Sequence, residues 1–153
     1  MSKFAAGTSV SSEASRSEIE RTLRRYGADG FLYGQQDDQA LVAFRMNGWQ
    51  VRFILVMPSR KDRAFTHSSR GARAPHLVEE HWEQACRQRW RALALVIKAK
   101  LEAVSAGISV FEDEFLANIV LPGGQLVGHW MRPQIAAAYE TGQMPPLLPG
   151  PGQ

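Results

Sequence analysis

The stretch Leu41-Val-Ala-Phe-Arg-Met-Asn-Gly-Trp-Gln-Val-Arg-Phe-Ile-Leu-Val-Met57 decides how this chain folds. Asn47-Gly48 separates two apolar-rich runs, and both residues tolerate the positive φ that a two-residue type I′ turn demands. So short a turn fixes the register. Met46 opposes Trp49, Phe44 opposes Val51 and Val42 opposes Phe53, so one face of the hairpin is wholly apolar and is expected to be core. On the other face Arg45 opposes Gln50, Ala43 opposes Arg52 and Leu41 opposes Ile54. That face is mixed, with Arg45 and Arg52 on adjacent strands near the hairpin tip, where they suit the floor of a groove for a phosphate backbone.

Working upstream, Phe31-Leu32-Tyr33 begins another strand and Gln36-Asp37-Asp38-Gln39 turns it into the hairpin, giving a three-stranded antiparallel meander. Ile19, Leu23 and Tyr26 form one apolar stripe and predict a helix over residues 16–26. Ser15 with Glu18 reads as its capping box, and Gly27 as its stop. Residues 1–14 read as a disordered tail, with no apolar run of the kind a signal peptide carries.

Working downstream, Pro58 ends the sheet and residues 58–75 form a long basic loop with five Lys/Arg and one Asp. Arg60, Lys61, Arg63, Arg70 and Arg73, spaced by Ser, Gly and Ala around the lone aromatic Phe65, suit a nucleic-acid arm that orders on binding. Then Val78, Trp82, Cys86, Trp90, Leu93, Ile97, Leu101 and Val104 recur at helical spacing and predict one long helix over residues 77–105. Arg87, Arg91 and Lys98 line up on its outer face as a basic stripe. Arg89 and Lys100 project into its apolar side instead, where a charge needs a partner. Pairing with Glu112 or Glu114, within the chain or across a subunit interface, is expected.

Ser109-x-x-Glu112 reads as a second capping box, opening a short helix with Phe111, Phe115 and Ile119 at intervals of four. Pro122-Gly-Gly124 breaks the chain before a last helix over residues 126–141, which Trp130, Ile135 and Tyr139 are expected to dock on the core. Residues 142–153 read as a Pro/Gly-rich tail. The expected fold is therefore one α+β domain over residues 15–141, with an N-terminal helix, the meander, a long central helix and short C-terminal helices on one sheet face. Three strands leave an open face and open edges, so homo-oligomers are expected.

Composition narrows the chemistry. With 153 residues, 44% hydrophobic, the chain is long enough for its own core without staples. Cys86 is the single cysteine, which excludes a disulfide scaffold and suits a reducing, cytoplasmic setting. No apolar run reaches the length of a membrane span, so no membrane partner is expected. The net charge of +3 divides unevenly, since residues 107–153 carry one Arg against four Asp/Glu. A basic body suggests an anionic partner.

No phosphate-binding or dinucleotide glycine motif, G-x-S-x-G, H-E-x-x-H or zinc cysteine pair is present, so no catalytic residues, cofactor or metal are assigned. Neighbouring residues Glu112-Asp113-Glu114 diverge on a helix, and His76, Glu80 and His81 lack an identifiable third ligand.

Three stretches, Ser17-Glu-Ile-Glu-Arg-Thr-Leu-Arg-Arg-Tyr-Gly-Ala28, Arg87-Gln-Arg-Trp-Arg-Ala-Leu-Ala-Leu-Val-Ile-Lys-Ala-Lys-Leu-Glu102 and Ile108-Ser-Val-Phe-Glu-Asp-Glu-Phe115, resemble a family of small uncharacterised bacteriophage and prophage proteins. The resemblance implies a role in phage DNA metabolism or in countering the host, and assigns no functional residues. The leading expectation is a non-enzymatic nucleic-acid-binding accessory that prefers single-stranded DNA, in replication or recombination. The alternatives are an interaction protein acting on a phage or host protein, and a metal-dependent nuclease.

Overall fold

The computed structural model describes residues 4–36 and 38–144. Three strands, β1 (Gly30–Gln36), β2 (Gln39–Met46) and β3 (Trp49–Val56), form an antiparallel sheet in the order β1-β2-β3. The hairpin register is the expected one, with Met46↔Trp49, Phe44↔Val51 and Val42↔Phe53 paired. Asn47 and Gly48 sit at φ 54° and 79°, as a type I′ turn requires. Val42, Phe44, Met46, Val51 and Phe53 are buried, whereas Trp49, at the end of that face, stays half-exposed and donates through Nε1 to Glu112 Oε1 at 3.1 Å.

Two helices cover this apolar face, α1 (Ser12–Arg25) and α3 (Pro75–Ser105). α1 starts a turn earlier than its sequence suggests. Ser11 is the cap, its Oγ accepting from the Ala14 N–H at 3.1 Å. Ser15 lies four residues before Ile19 on the same stripe, so extending the helix carries it to the buried side, where its hydroxyl has no partner among the described residues. Residues 4–10, expected in a tail, lie along α3 instead: Gln84 Nε2 donates to the Thr8 carbonyl at 2.9 Å and Gln88 Nε2 to that of Phe4 at 3.0 Å.

Within α3, Trp90, Leu93, Ala94, Ile97 and Leu101 are buried in the main core. Phe44, Phe53, Phe111 and Phe115 pack at its other end, Phe115 edge-on to both Phe44 and Phe53. The second capping box does not form. α4 (Phe111–Glu114) is a single turn begun from Val110 without a side-chain cap, and the Ser109 hydroxyl donates to the Val110 carbonyl. A 3₁₀ turn, Leu116–Asn118, follows, and Ile119 leaves the helical path to bridge Val51 at the β3 edge.

The last helix, α5 (Val127–Thr141), is present, with Pro133 inside it. Its docking differs from expectation. No residue of α5 is buried, and Trp130, Ile135 and Tyr139 are all exposed. The core seats they were expected to fill are taken by Phe111, Phe115 and Ile119, so Leu126, just before the helix, anchors it. Residues 145–153, most of the expected C-terminal tail, lie outside the described residues.

Residues 58–75 are not an open loop. They hold a one-turn helix, α2 (Arg63–Thr66), and a two-stranded ribbon, β4 (His67–Ser68) with β5 (Gly71–Ala72). The architecture is thus α+β, with helices on one face of the meander and the other face left largely bare by the described residues, apart from the turn that Arg52 holds at Gly124. No helix among the described residues is long and apolar enough to cross a membrane.

Candidate nucleic-acid interface

The five cations of residues 58–75 divide into two groups by what their side chains touch. Arg60 and Arg73 hold the segment together. Arg60 makes a two-pronged bond to Glu79, Nε to Oε2 at 2.9 Å and Nη2 to Oε1 at 3.1 Å, and its guanidinium lies 3.5 Å above the Trp82 ring. Hydrogen bonding from Arg60 holds the Glu79 carboxyl below the ordinary range, and the same bond raises the pKa of Arg60. Trp82 Nε1 in turn donates to the Pro58 carbonyl at 2.6 Å. Arg73 Nη1 donates to the carbonyls of Ala64 and Phe65 at 2.6 and 2.9 Å, closing the carboxyl end of α2.

Phe65 is buried beneath this arrangement. A ring in that position cannot stack on a base, so Phe65, expected among the nucleic-acid contacts, anchors the segment instead. An aromatic in a basic segment reads equally well either way, and only the packing against α3 separates the two.

The second group is Lys61, Arg63 and Arg70. All three are exposed, and none enters an ion pair among the described residues. Arg70 stands at the tip of the β4–β5 ribbon, where its N–H donates to Ser68 Oγ at 3.2 Å and Gly71, at φ 110°, lets the chain reverse. The ribbon leads straight into α3. That helix begins at Pro75 from Ala74, with no side-chain cap and no acidic residue in its first turn. The N–H groups of Leu77 and Val78 donate to the Ala74 carbonyl at 3.0 and 3.1 Å, and the positive dipole end of the helix follows directly on the ribbon that carries Arg70. Sequence reasoning missed this contribution, although Ala74-Pro75-His76-Leu77-Val78, lacking both a capping residue and an acid, carried the signal.

The other expected contacts are mostly committed elsewhere. On the sheet, Arg52 donates through Nη2 to the Gly124 carbonyl at 2.5 Å, while its own carbonyl accepts from Asn118 Nδ2 at 3.1 Å. It fastens the turn before α5 rather than offering its charge. Arg45 pairs with Asp29 at 3.0 Å and remains about half exposed. Between them lies a shallow concavity of about 370 Å³ with a mainly apolar floor of Leu32, Leu41 and Ala43.

Alternation puts Gly30, Leu32, Gly34, Leu41, Ala43, Ile54 and Val56 on this bare face with the two arginines. No aromatic side chain joins them, so the face lacks a stacking platform.

On α3, Arg87 donates to Gln84 Oε1 through Nε and Nη2 at 3.0 and 2.6 Å, and Arg91 is ion-paired with Glu18 of α1. Lys98 alone of that stripe is exposed. The pairing expected for Lys100 is realised within the chain, with Nζ 2.9 Å from the Glu114 carbonyl and 3.4 Å from its carboxylate. Arg89 departs from expectation: it is exposed and donates to the Val56 carbonyl at 2.7 Å, because α4 lies beside Lys100 while Arg89, three turns earlier, faces the end of β3.

Among the described residues no group of three or more His, Cys, Asp or Glu could hold a metal ion. The Cys86 thiol is half-buried between helices, and burial raises its pKa above the ordinary value. That leaves it a poor nucleophile. It lines a concavity of about 350 Å³ between α3 and the start of α1, with Trp82, Trp90, Arg16 and Arg87. No protein-family model, curated protein or solved structure matches this chain.

Proposed function

We propose that this chain is a non-enzymatic nucleic-acid-binding accessory protein that grips the phosphate backbone on the platform of Lys61, Arg63 and Arg70. The observation that carries the reading is their exposure without acidic partners on a segment pinned by Phe65, Arg60 and Arg73, beside the uncapped start of α3. Such a surface neutralises phosphates and releases counterions, which gives affinity without sequence preference. With Phe65 buried, base stacking drops out, and binding rests on charge alone.

The test is a salt titration of binding to labelled single- and double-stranded oligonucleotides. Changing Lys61, Arg63 and Arg70 together to serine should lower the log K against log salt slope by roughly 2 to 3, at about 0.7 to 0.9 per lost phosphate contact. The decrease should be alike for all base sequences. A wild-type protein that binds no oligonucleotide near about 50 mM salt overturns the reading. The second reading, an interaction protein acting on a phage or host protein, then takes its place. The bare sheet face favours it, since Leu32, Ile54 and Val56 are exposed there together.

A further inference from the structure

The outer edge of β1 is built unlike the rest of the sheet. β3 has its far edge partly closed, by the bridge of Ile119 to Val51 and the Val120 N–H bonded to the Gln50 carbonyl at 2.8 Å. β1 has no such cover among the described residues. The Met57 N–H donates to the Asp38 carbonyl at 2.6 Å, which makes Gln39↔Val56 a wide pair, so odd-numbered residues of β2 turn their backbone groups toward β1. Their partners are Gly30, Leu32, Gly34 and Gln36. The N–H and C=O groups of Phe31, Tyr33 and Gln35 therefore point outward, and no backbone bond among the described residues reaches them.

Proteins guard such edges with lysine, proline, bulges or a covering element. Gly30-Phe-Leu-Tyr-Gly-Gln-Gln36 has no charge and no proline across seven continuously paired residues, and its one irregularity lies at the start, where the Arg45 carbonyl also accepts from the Asp29 N–H at 2.9 Å. Its glycines are also unexplained from within. Neither Gly30 nor Gly34 has a positive φ, and a Cβ added at either would make only ordinary contacts, at 3.7 Å to Arg45 and 3.9 Å to Leu41. A strand glycine not required by its own backbone or neighbours marks close approach by something else. Leu32, between them, is 60% exposed.

We infer that β1 pairs antiparallel with β1 of a second copy of this chain across a two-fold axis at Tyr33, joining two meanders into one six-stranded sheet. Centring on Tyr33 uses the whole strand. It sets Tyr33 against Tyr33, Phe31 against Gln35 and Leu32 against Gly34, so each exposed leucine covers the other copy's missing Cβ. The outward groups of Phe31, Tyr33 and Gln35 find partners of their own kind.

Charge agrees with a second copy as occupant. β1 brings no like charges together, and the two-fold sets α1 antiparallel to its copy. Its first half, with exposed Glu13, then runs toward the second half, with Arg21, Arg24 and Arg25. Arg16, near the axis over the Tyr33 ring at 4.7 Å, is mostly covered and lies 3.5 Å from Glu13. This edge lies across the sheet from the strand that leads into the basic platform, so the inference stands whether or not nucleic acid binds.

Sedimentation equilibrium of the full chain over a range of concentrations tests it. The wild type should approach twice the 17.0 kDa chain mass. Leu32→Lys should weaken the dimer roughly tenfold or more by replacing a buried aliphatic contact with a charge diagonal to that of the other copy. Gln35→Pro removes an outward N–H without touching the bonds to β2 and should act in the same direction. Gly34→Ala should leave the monomer at least as stable in urea yet weaken association, which a purely structural glycine would not do. A wild type that stays monomeric throughout overturns the inference. So does a dimer indifferent to all three changes, or a β1 edge that binds only a different protein.

Discussion

Phe53 and Ile54 adjoin in β3 and face opposite ways. Phe53 packs edge-on to Phe115 at 6.3 Å between ring centroids, whereas Ile54 is 41% exposed on the bare face. Phe53→Ala should cost about 3–5 kcal/mol in urea denaturation, from lost transfer energy and the cavity left behind. Ile54→Ala should stay within about 0.5 kcal/mol. Equal costs would mean that the bare face is covered. This contrast was legible in the sequence, because a two-residue turn admits one register and a strand alternates strictly. The fate of the arginines was not. Arg60 and Arg91 are neutralised by Glu79 and Glu18, carboxylates 19 and 73 residues away that only the folded chain brings into reach. Charge could be counted in advance, but its availability could not.

Elements divide in the same way. α3 was legible because its apolar residues keep one period over many turns, whereas the start of α1 was misplaced since Ser11 and Ser15 both suit a cap. The ribbon within residues 58–75 left no periodic trace. It is held by side chains bonded to distant backbone, Arg73 to Ala64 and Trp82 to Pro58, and local pattern does not encode such bonds. α5 was expected to dock through Trp130, Ile135 and Tyr139, and touches the core only through its first turn, at Val127. Ending the chain after Gly128 keeps Leu126, and Gly128 itself, where a Cβ would meet the Ala117 carbonyl at 3.0 Å. Such a chain should lose no more than about 1 kcal/mol of stability, since local stability follows buried contact. Urea midpoints compare the two chains, and a large loss would show that α5 docks more firmly than its exposure indicates.

At the scale of the whole molecule α3 is the common beam. Its 31 residues extend about 46 Å, at about 1.5 Å rise per residue. Its first turns carry the basic segment through Glu79 and Trp82, and its middle carries the core through Trp90, Ile97 and Leu101. One helix shared by both regions should couple them, so thermal unfolding followed by near- and far-ultraviolet circular dichroism should give coincident curves. Two separated transitions would show that residues 58–75 melt on their own.

The division of labour among the five cations of that segment has an evolutionary consequence. Its shape depends on Arg60 and Arg73, and its outward charge on Lys61, Arg63 and Arg70. Recognition can thus drift without endangering the scaffold. Substitutions at 61, 63 and 70 would retune what adheres and how strongly, while changes at 60 or 73 would decide whether there is any surface to adhere to. Even Arg60→Lys would be no minor step, because an ammonium gives up both the fork to Glu79 and the flat stacking on Trp82.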